Sequence, residues 1–216
     1  MIPLKKWWVS QMCLNIGKHK DVLKLMRLSG CKGIFVGLES VSHESLKSQN
    51  KENVNVIEDY KIMAKNILRE KMTIVAATMY GFDQDTNESL FSETLRILTE
   101  MGVTALQAHI TPYPNSEYSK TLLEENRLIT QEAKYYNGYT IVHKPSRISP
   151  YELQKGFIEI RKKFYSLPCV IKRLFHHNPL AWWNFIFFNI IYHTPNYQAI
   201  PGVNINEWLK YLKSIE

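Results

Sequence analysis

Ile34-Phe35-Val36-Gly37-Leu38-Glu39-Ser40 decides how this chain is read: an apolar run meets a glycine and then delivers a carboxylate and a hydroxyl. A run apolar on both faces belongs to a buried parallel strand, and the C-terminal ends of such strands are where α/β folds present chemistry. The same unit repeats to either side. Upstream, Lys6-Trp7-Trp8-Val9-Ser10-Gln11-Met12 reads as a strand, and residues 21–28, apolar at 22, 25, 26 and 28, as a helix closed by Gly30. Downstream, Ser42 caps a short helix, and residues 54–70 form a longer one, with Ile57, Tyr60, Ile62, Met63, Ala64, Ile67 and Leu68 at helical spacing. Residues 73–80 form a strand ending at Gly81. A helix follows the loop Phe82-Asp83-Gln84-Asp85-Thr86, with Leu90, Leu95, Ile97, Leu98 and Met101 inward and Gly102 at its end. Residues 103–110 are another strand, leading into Thr111-Pro112-Tyr113-Pro114-Asn115-Ser116.

Strands alternating with helices predict an α/β fold, here a partial (β/α) TIM-type barrel with about four parallel strands over residues 1–130. A mainly helical extension is expected over residues 131–216. Within it Tyr135–Tyr139 is turn-like, and Ser149-Pro150 opens a helix with Leu153, Phe157, Ile160 and Phe164 on one face. The aromatic run Trp182-Trp183-Asn184-Phe185-Ile186-Phe187-Phe188-Asn189-Ile190-Ile191-Tyr192 is shorter than the roughly 20 apolar residues of a bilayer span, and two asparagines interrupt it. It reads first as a helix packed against the barrel and second as an interfacial membrane helix over residues 180–192. Pro195 and Pro201-Gly202 break the chain before a final amphipathic helix carrying Trp208, Leu209 and Leu212.

A hydrophobic content of 45% with 22% charged residues argues against general disorder. The net charge of +7 would suit a nucleic-acid binder, but the basic residues are spread along helices, so no nucleic-acid partner is expected. The clusters Arg161-Lys162-Lys163 and Lys172-Arg173 read as a solvated face, with an acidic partner or membrane surface as the alternative. Cys13, Cys31 and Cys169 lack metal-site spacing and read as reduced thiols. With no apolar signal core at the N-terminus, the expected location is cytoplasmic, allowing peripheral membrane contact.

The strand ends Gln11, Glu39, Gly81 and His109 should share one edge. A carboxylate there can accept two hydrogen bonds from a vicinal diol, which makes Glu39 a nucleoside-reading candidate; it would serve equally as a cap for the helix at Ser42. Lys51 either returns to that edge to pair with a ligand carboxylate or is a surface lysine. Gly81 either lets a flat base approach the backbone of Met79 and Tyr80 or only makes a turn. His109 is a general base or a satisfied buried polar group.

In this order, Trp8-Val9-Ser10-Gln11, the 21–30 helix, Phe35-Val36-Gly37-Leu38-Glu39-Ser40, Leu46 with Lys51, Met79-Tyr80-Gly81-Phe82-Asp83-Gln84-Asp85-Thr86 and Thr111–Ser116 resemble the C-terminal half of the radical S-adenosylmethionine core, in its cobalamin-binding-domain-containing branch. The resemblance covers about residues 6–130, and residues 151–165 look like the helical domain that follows that core. It implies S-adenosylmethionine as ligand, with Glu39 and Ser40 at the ribose, Lys51 at the ligand carboxylate, Met79, Tyr80 and Gly81 along the adenine, and Gln11 near the methionine end. Where the family has Pro-Gly-Thr, this chain has Pro114-Asn115-Ser116. The family also holds a 4Fe-4S cluster on a CxxxCxxC loop, and some members bind cobalamin; the cysteine motif is not in this sequence.

The expectation is therefore the C-terminal portion of a radical S-adenosylmethionine enzyme with a small-molecule or lipid substrate, its chemistry extending to methyl transfer. It would come from a truncated, split or fragmentary gene and be inactive without a cluster-bearing N-terminal polypeptide. A non-enzymatic remnant that binds a partner or membrane is the alternative, followed by a cofactor-independent barrel enzyme using His109 and Glu39.

Overall fold

The computed structural model describes the backbone of residues 6–86, 90–109, 111–193 and 202–216, and the side chains of these except 107–109 and 193. The apolar runs form four strands, β1 (Trp8–Met12), β2 (Cys31–Glu39), β3 (Thr73–Met79) and β4 (Ala105–His109), which pair in chain order and all in parallel. Parallel neighbours need crossovers. α1 (Lys20–Leu28) makes the first, α3 (Tyr60–Arg69) the second after the short α2 (His43–Ser48), and α4 (Leu90–Glu100) the third. The fold is α/β, a partial β/α arrangement followed by a helical C-terminal part, as the sequence predicts.

Alternation along the strands sorts the side chains. Ile34, Val36 and Leu38 of β2 are buried and join Ile74 and Ala76 of β3, Leu23 and Met26 of α1, Met63, Ala64 and Ile67 of α3 and Leu98 of α4 in one core. The opposite face carries Gln11, Phe35, Gly37, Val75, Ala77 and Met79 in adjacent registers. Its C-terminal margin is the edge at which Glu39 stands.

The remaining helices are α5 (Glu117–Glu124), α6 (Pro150–Phe164), α7 (Leu167–Leu174), α8 (Trp182–His193) and α9 (Ile205–Ser214). Ser149 accepts the Glu152 amide at the start of α6, where Pro150 costs no helical hydrogen bond, and Leu153, Phe157, Ile160 and Phe164 are buried. Arg173, fully buried, ties α7 to the sheet. Its guanidinium donates to the carbonyls of Val103 (2.6 Å), Thr104 (2.8 Å) and Phe164 (2.7 Å) and to Asn189 of α8 (3.3 Å), and it lies 3.6 Å over the Phe164 ring. Burial lowers its pKa to about 10, so the group stays charged at neutral pH. The Tyr165 hydroxyl accepts the Leu106 amide (3.1 Å) and donates to the Leu106 carbonyl (3.3 Å), satisfying polar groups on the outer edge of β4. Phe188 of α8 reaches the concave face, 3.7 Å from where a Cβ on Gly33 would lie.

Four local expectations are corrected. The 54–70 helix starts only at Tyr60, after a 3-10 turn at Ile57–Asp59, because the Asn55 side chain is spent on the Leu38 carbonyl. Ile62 lies off the buried stripe and is 63% exposed. On α1 the buried residues are Leu23 and Met26, whereas Val22, Leu25 and Leu28 face solvent. β4 starts at Ala105, the Val103 and Thr104 carbonyls being taken by Arg173; Ile110, Pro195 and Pro201 lie outside the described residues.

Replacing Arg173 by Met removes a charged donor from the buried carbonyls of Val103, Thr104 and Phe164, each costing about 1–3 kcal/mol if left unpaired. Urea denaturation of Arg173→Met should show a loss of about 3 kcal/mol or more, against about 1 kcal/mol for Tyr165→Phe.

Candidate functional site

The site begins at the Leu38 carbonyl. It accepts from the Ser40 amide (2.7 Å), the Asn55 side-chain amide (3.1 Å) and the Tyr60 hydroxyl (3.4 Å). The bond to Ser40 closes a three-residue turn around Glu39, which sits at φ 60°, a left-handed conformation costing about 1–2 kcal/mol for a residue with a side chain. Asn55 and Tyr60 are buried, so the turn is held from behind. The pairing with β3 slips at this point, from Gly37 opposite Ala77 to Glu39 opposite Thr78. Strain and an irregular register at a strand end are the usual means of aiming a side chain.

The Glu39 carboxylate folds back over Gly37. A Cβ on Gly37 would stand 2.6 Å from Glu39 Oε1, so the glycine makes room for the carboxylate. Partial burial raises the Glu39 pKa, and the Lys51 ammonium opposes that shift, which places Lys51 in electrostatic reach of the same carboxylate. Asn50, at φ 55°, turns the chain after α2 so that the Lys51 amide returns to the Leu46 carbonyl (2.8 Å). Ser40 is buried, and its hydroxyl accepts the Ser42 amide (3.1 Å), a turn-forming role.

The second part of the edge is the loop after β3. Asp85 is buried and accepts the amides of Gly81 (2.9 Å) and Phe82 (3.1 Å) and the hydroxyl of Ser45 on α2 (2.7 Å). Burial raises its pKa despite these donors. The Gly81 carbonyl accepts His143 Nε2–H (2.9 Å) and the Tyr118 hydroxyl (3.3 Å). Burial lowers the His143 pKa to about 4, so the ring is neutral and donates from Nε2. Gly81 is at φ 92°, and a Cβ there would meet Leu153 and His143 at 3.0–3.2 Å. Its small size thus admits Leu153 of α6 and His143 of the segment before it close against the turn. For Asp83, burial acts to raise the pKa, but hydrogen bonds from Arg127 and Ser146 win and hold it below the ordinary range.

These placements bring Glu39, Lys51 and the Met79–Gly81 strand end to one margin. Met79 is half-buried, while Tyr80 turns its side chain into the core, stacked on Phe91 at 5.2 Å, and offers the margin only its backbone. Gln11 shares the concave face but lies opposite Phe35, well below Glu39 along the strands. The His109 side chain lies outside the described ones. Asn115 adopts φ 64°, a conformation asparagine tolerates better than most residues, and Ser116 then caps α5. Asp85 is the residue that the strand-end reading missed. Its signal was a second aspartate in a loop otherwise read as one unit, within reach of a serine on a preceding helix.

Cys13 is exposed after β1, Cys31 is buried at the start of β2 and Cys169 lies in α7. Among the described residues no three histidine, cysteine or acidic side chains gather to hold a metal. The donor set therefore does not fit an iron–sulfur cluster.

No family model matches the chain. It is 25% identical over 189 residues, 87% of its length, to a bacteriochlorophyllide d C-12(1)-methyltransferase of Chlorobaculum tepidum. It is 23% identical over 154 residues to a bacteriochlorophyllide d C-8(2)-methyltransferase of the same organism, and 25% identical over 174 residues to an uncharacterized methyltransferase of Pyrococcus horikoshii. The chain spans 34–40% of the length of these curated relatives.

Asp85→Ala should strand the buried Gly81 amide and Ser45 hydroxyl and the part-buried Phe82 amide, lowering stability by about 2–4 kcal/mol. Native-state hydrogen exchange should show faster exchange at Gly81 and Phe82 than the global loss accounts for.

Proposed function

We propose that the Glu39 margin binds the nucleoside of S-adenosylmethionine, and that this chain is the S-adenosylmethionine-side portion of a radical S-adenosylmethionine methyltransferase. One observation carries the reading: a glutamate held at φ 60° by three donors on the preceding carbonyl, its carboxylate partly desolvated over a glycine and facing a lysine. The methyltransferase relatives support it, as does the order of strand-end motifs.

In this reading each residue has a separable task. Glu39, ionised, accepts both hydroxyls of the ribose diol; charge-assisted bonds of this kind contribute about 1.5–3 kcal/mol each. Lys51 attracts the methionine carboxylate and keeps Glu39 ionised. Ser40 and Asn55 position Glu39 rather than touch ligand, and the backbone of Met79 and Tyr80 flanks the adenine. Gln11, lower on the concave face, is nearer to where the reacting end and its acceptor meet. Bound there, S-adenosylmethionine would supply the activated methyl and, in the radical family, the source of the radical chemistry. Cluster ligands do not come from Cys13, Cys31 or Cys169, so they would be supplied from outside these 216 residues, by a separate or contiguous polypeptide.

Because the folded-state pKa of Glu39 is raised, its ionised form costs stability at neutral pH, and that cost vanishes as pH falls below both pKa values. Glu39→Gln should therefore melt at the same temperature as the wild type or slightly higher. In isothermal titration it should bind S-adenosylmethionine at least about tenfold more weakly, which is about 1.4 kcal/mol. Wild-type affinity should fall on acidification at a higher pH than for an ordinary glutamate. Adenosine should compete and 2′-deoxyadenosine should not. Equal affinity for wild type and Glu39→Gln would end the ribose assignment. Gly37→Ala tests the cradle separately: it need only displace the Glu39 carboxylate, so binding should fall with stability changed by less than about 1 kcal/mol.

A further inference from the structure

Between Glu159 and Glu207 the sequence contains no Asp or Glu, although it spans all of α7 and α8 and carries Arg161, Lys162, Lys163, Lys172 and Arg173. Arg161 and Arg173 are buried, leaving Lys162, Lys163 and Lys172 as the exposed charges. In the same stretch of chain, large apolar side chains face outward. On α7 these are Leu167, Ile171 and Phe175, at helical spacing; on α8 and the turn before it they are Leu180, Trp183 and Phe187. They are 43–82% exposed, and the two stripes meet where Phe175 packs edge-on against Trp182 at 6.4 Å. α8 is apolar all round for a structural reason on one side only: Phe185 and Asn189 face the sheet and Arg173. Nothing in that packing accounts for Trp183 and Phe187.

We propose that the outer face of α7 and α8 docks this protein on an anionic lipid bilayer. Outward apolar side chains in a segment that carries exposed lysines and no carboxylate match such a surface, although Lys163 and Lys172 also line the cleft that holds Glu100, Glu152 and Glu159, so the apolar stripes carry more of the match than the charge does. A second copy matches it less well, because a two-fold interface would join two copies of a basic segment that offers no carboxylate to pair with the other's lysines. The mode is lying on the surface, since among the described residues no helix is long and apolar enough to cross a membrane. Trp183 then sits at the headgroup level, as tryptophan prefers. The inference does not depend on the Glu39 site.

The experiment is co-sedimentation of the full chain with vesicles of phosphatidylcholine containing about one third phosphatidylglycerol, beside vesicles of phosphatidylcholine alone. Binding to the anionic vesicles is expected, at least about tenfold stronger than to the neutral ones and weakened by salt, with a blue shift of tryptophan emission. The double variant Trp183→Ser/Phe187→Ser changes only exposed positions and should keep the wild-type circular dichroism while losing binding. Lys162→Glu/Lys163→Glu/Lys172→Glu should lose the preference for anionic lipid. Absence of binding to either vesicle, or unchanged binding by both variants, would overturn the proposal. So would a solution dimer that Trp183→Ser converts to monomer, which would assign the face to a second copy.

Discussion

The carbonyl oxygen of Leu38 is the constraint on which the strand-end geometry depends. A carbonyl has two lone pairs, and here three donors crowd it, from the turn itself, from Asn55 and from Tyr60. Fixing that peptide plane forces Glu39 into the left-handed region, at a cost the buried partners on either side must offset. The consequence is positional. A glutamate in regular extended backbone would follow the pleat, whereas this one bends back over Gly37 with its carboxylate partly out of water. A hydrogen-bond acceptor in that state has lost solvent partners and can regain them from a diol.

The two ends of the sheet are bound to the C-terminal helices by different chemistry. At the site end, Gly81 is gripped by Asp85 through its amide and by His143 and Tyr118 through its carbonyl, so a loop from β3 is shaped by residues of α5 and beyond. At the opposite end, Arg173 gathers carbonyls from the start of β4 and from α6, and His177 donates to the Gly102 carbonyl at 2.8 Å. Both clamps use polar groups at places where the backbone has left its ladder and needs donors. The C-terminal part therefore does structural work for the strand-end loop: His143 and Leu153 close on the Gly81 turn from one side, where a Cβ would meet them at 3.0–3.2 Å.

Periodicity made some of this legible and misled elsewhere. The caps at Ser42 and Ser149 follow from serine placed before a helical run, and each is found accepting an amide of the first turn; Ser116 caps α5 in the same way, in a helix that the sequence reading did not place. The α6 stripe of Leu153, Phe157, Ile160 and Phe164 is buried as its spacing requires. α1 is the counter-example. Its chain is apolar at 22, 23, 25, 26 and 28, so no unique face follows from pattern alone, and β2 selected Leu23 and Met26. Likewise Asn55 has nothing in its neighbourhood to mark it as a partner of Leu38, 17 residues away, and a helix extended over it is the natural sequence reading.

What the sequence by itself determined is the class of fold, because continuous apolar runs that end at Gly-x-Glu and Gly-x-Asp and alternate with helical spacing fit buried parallel strands joined by helices. It also put Glu39 and the Met79–Gly81 stretch at strand ends, and left Lys51 open between that edge and the surface. Only the tertiary structure decided how those residues are held, since the donors that bend Glu39, the aspartate that shapes the Gly81 loop and the arginine that anchors α7 all act across separations that local spacing does not encode. Side-chain hydrogen bonds to distant carbonyls leave no periodic trace in a chain, and they are what turns this strand end from a pattern into a geometry.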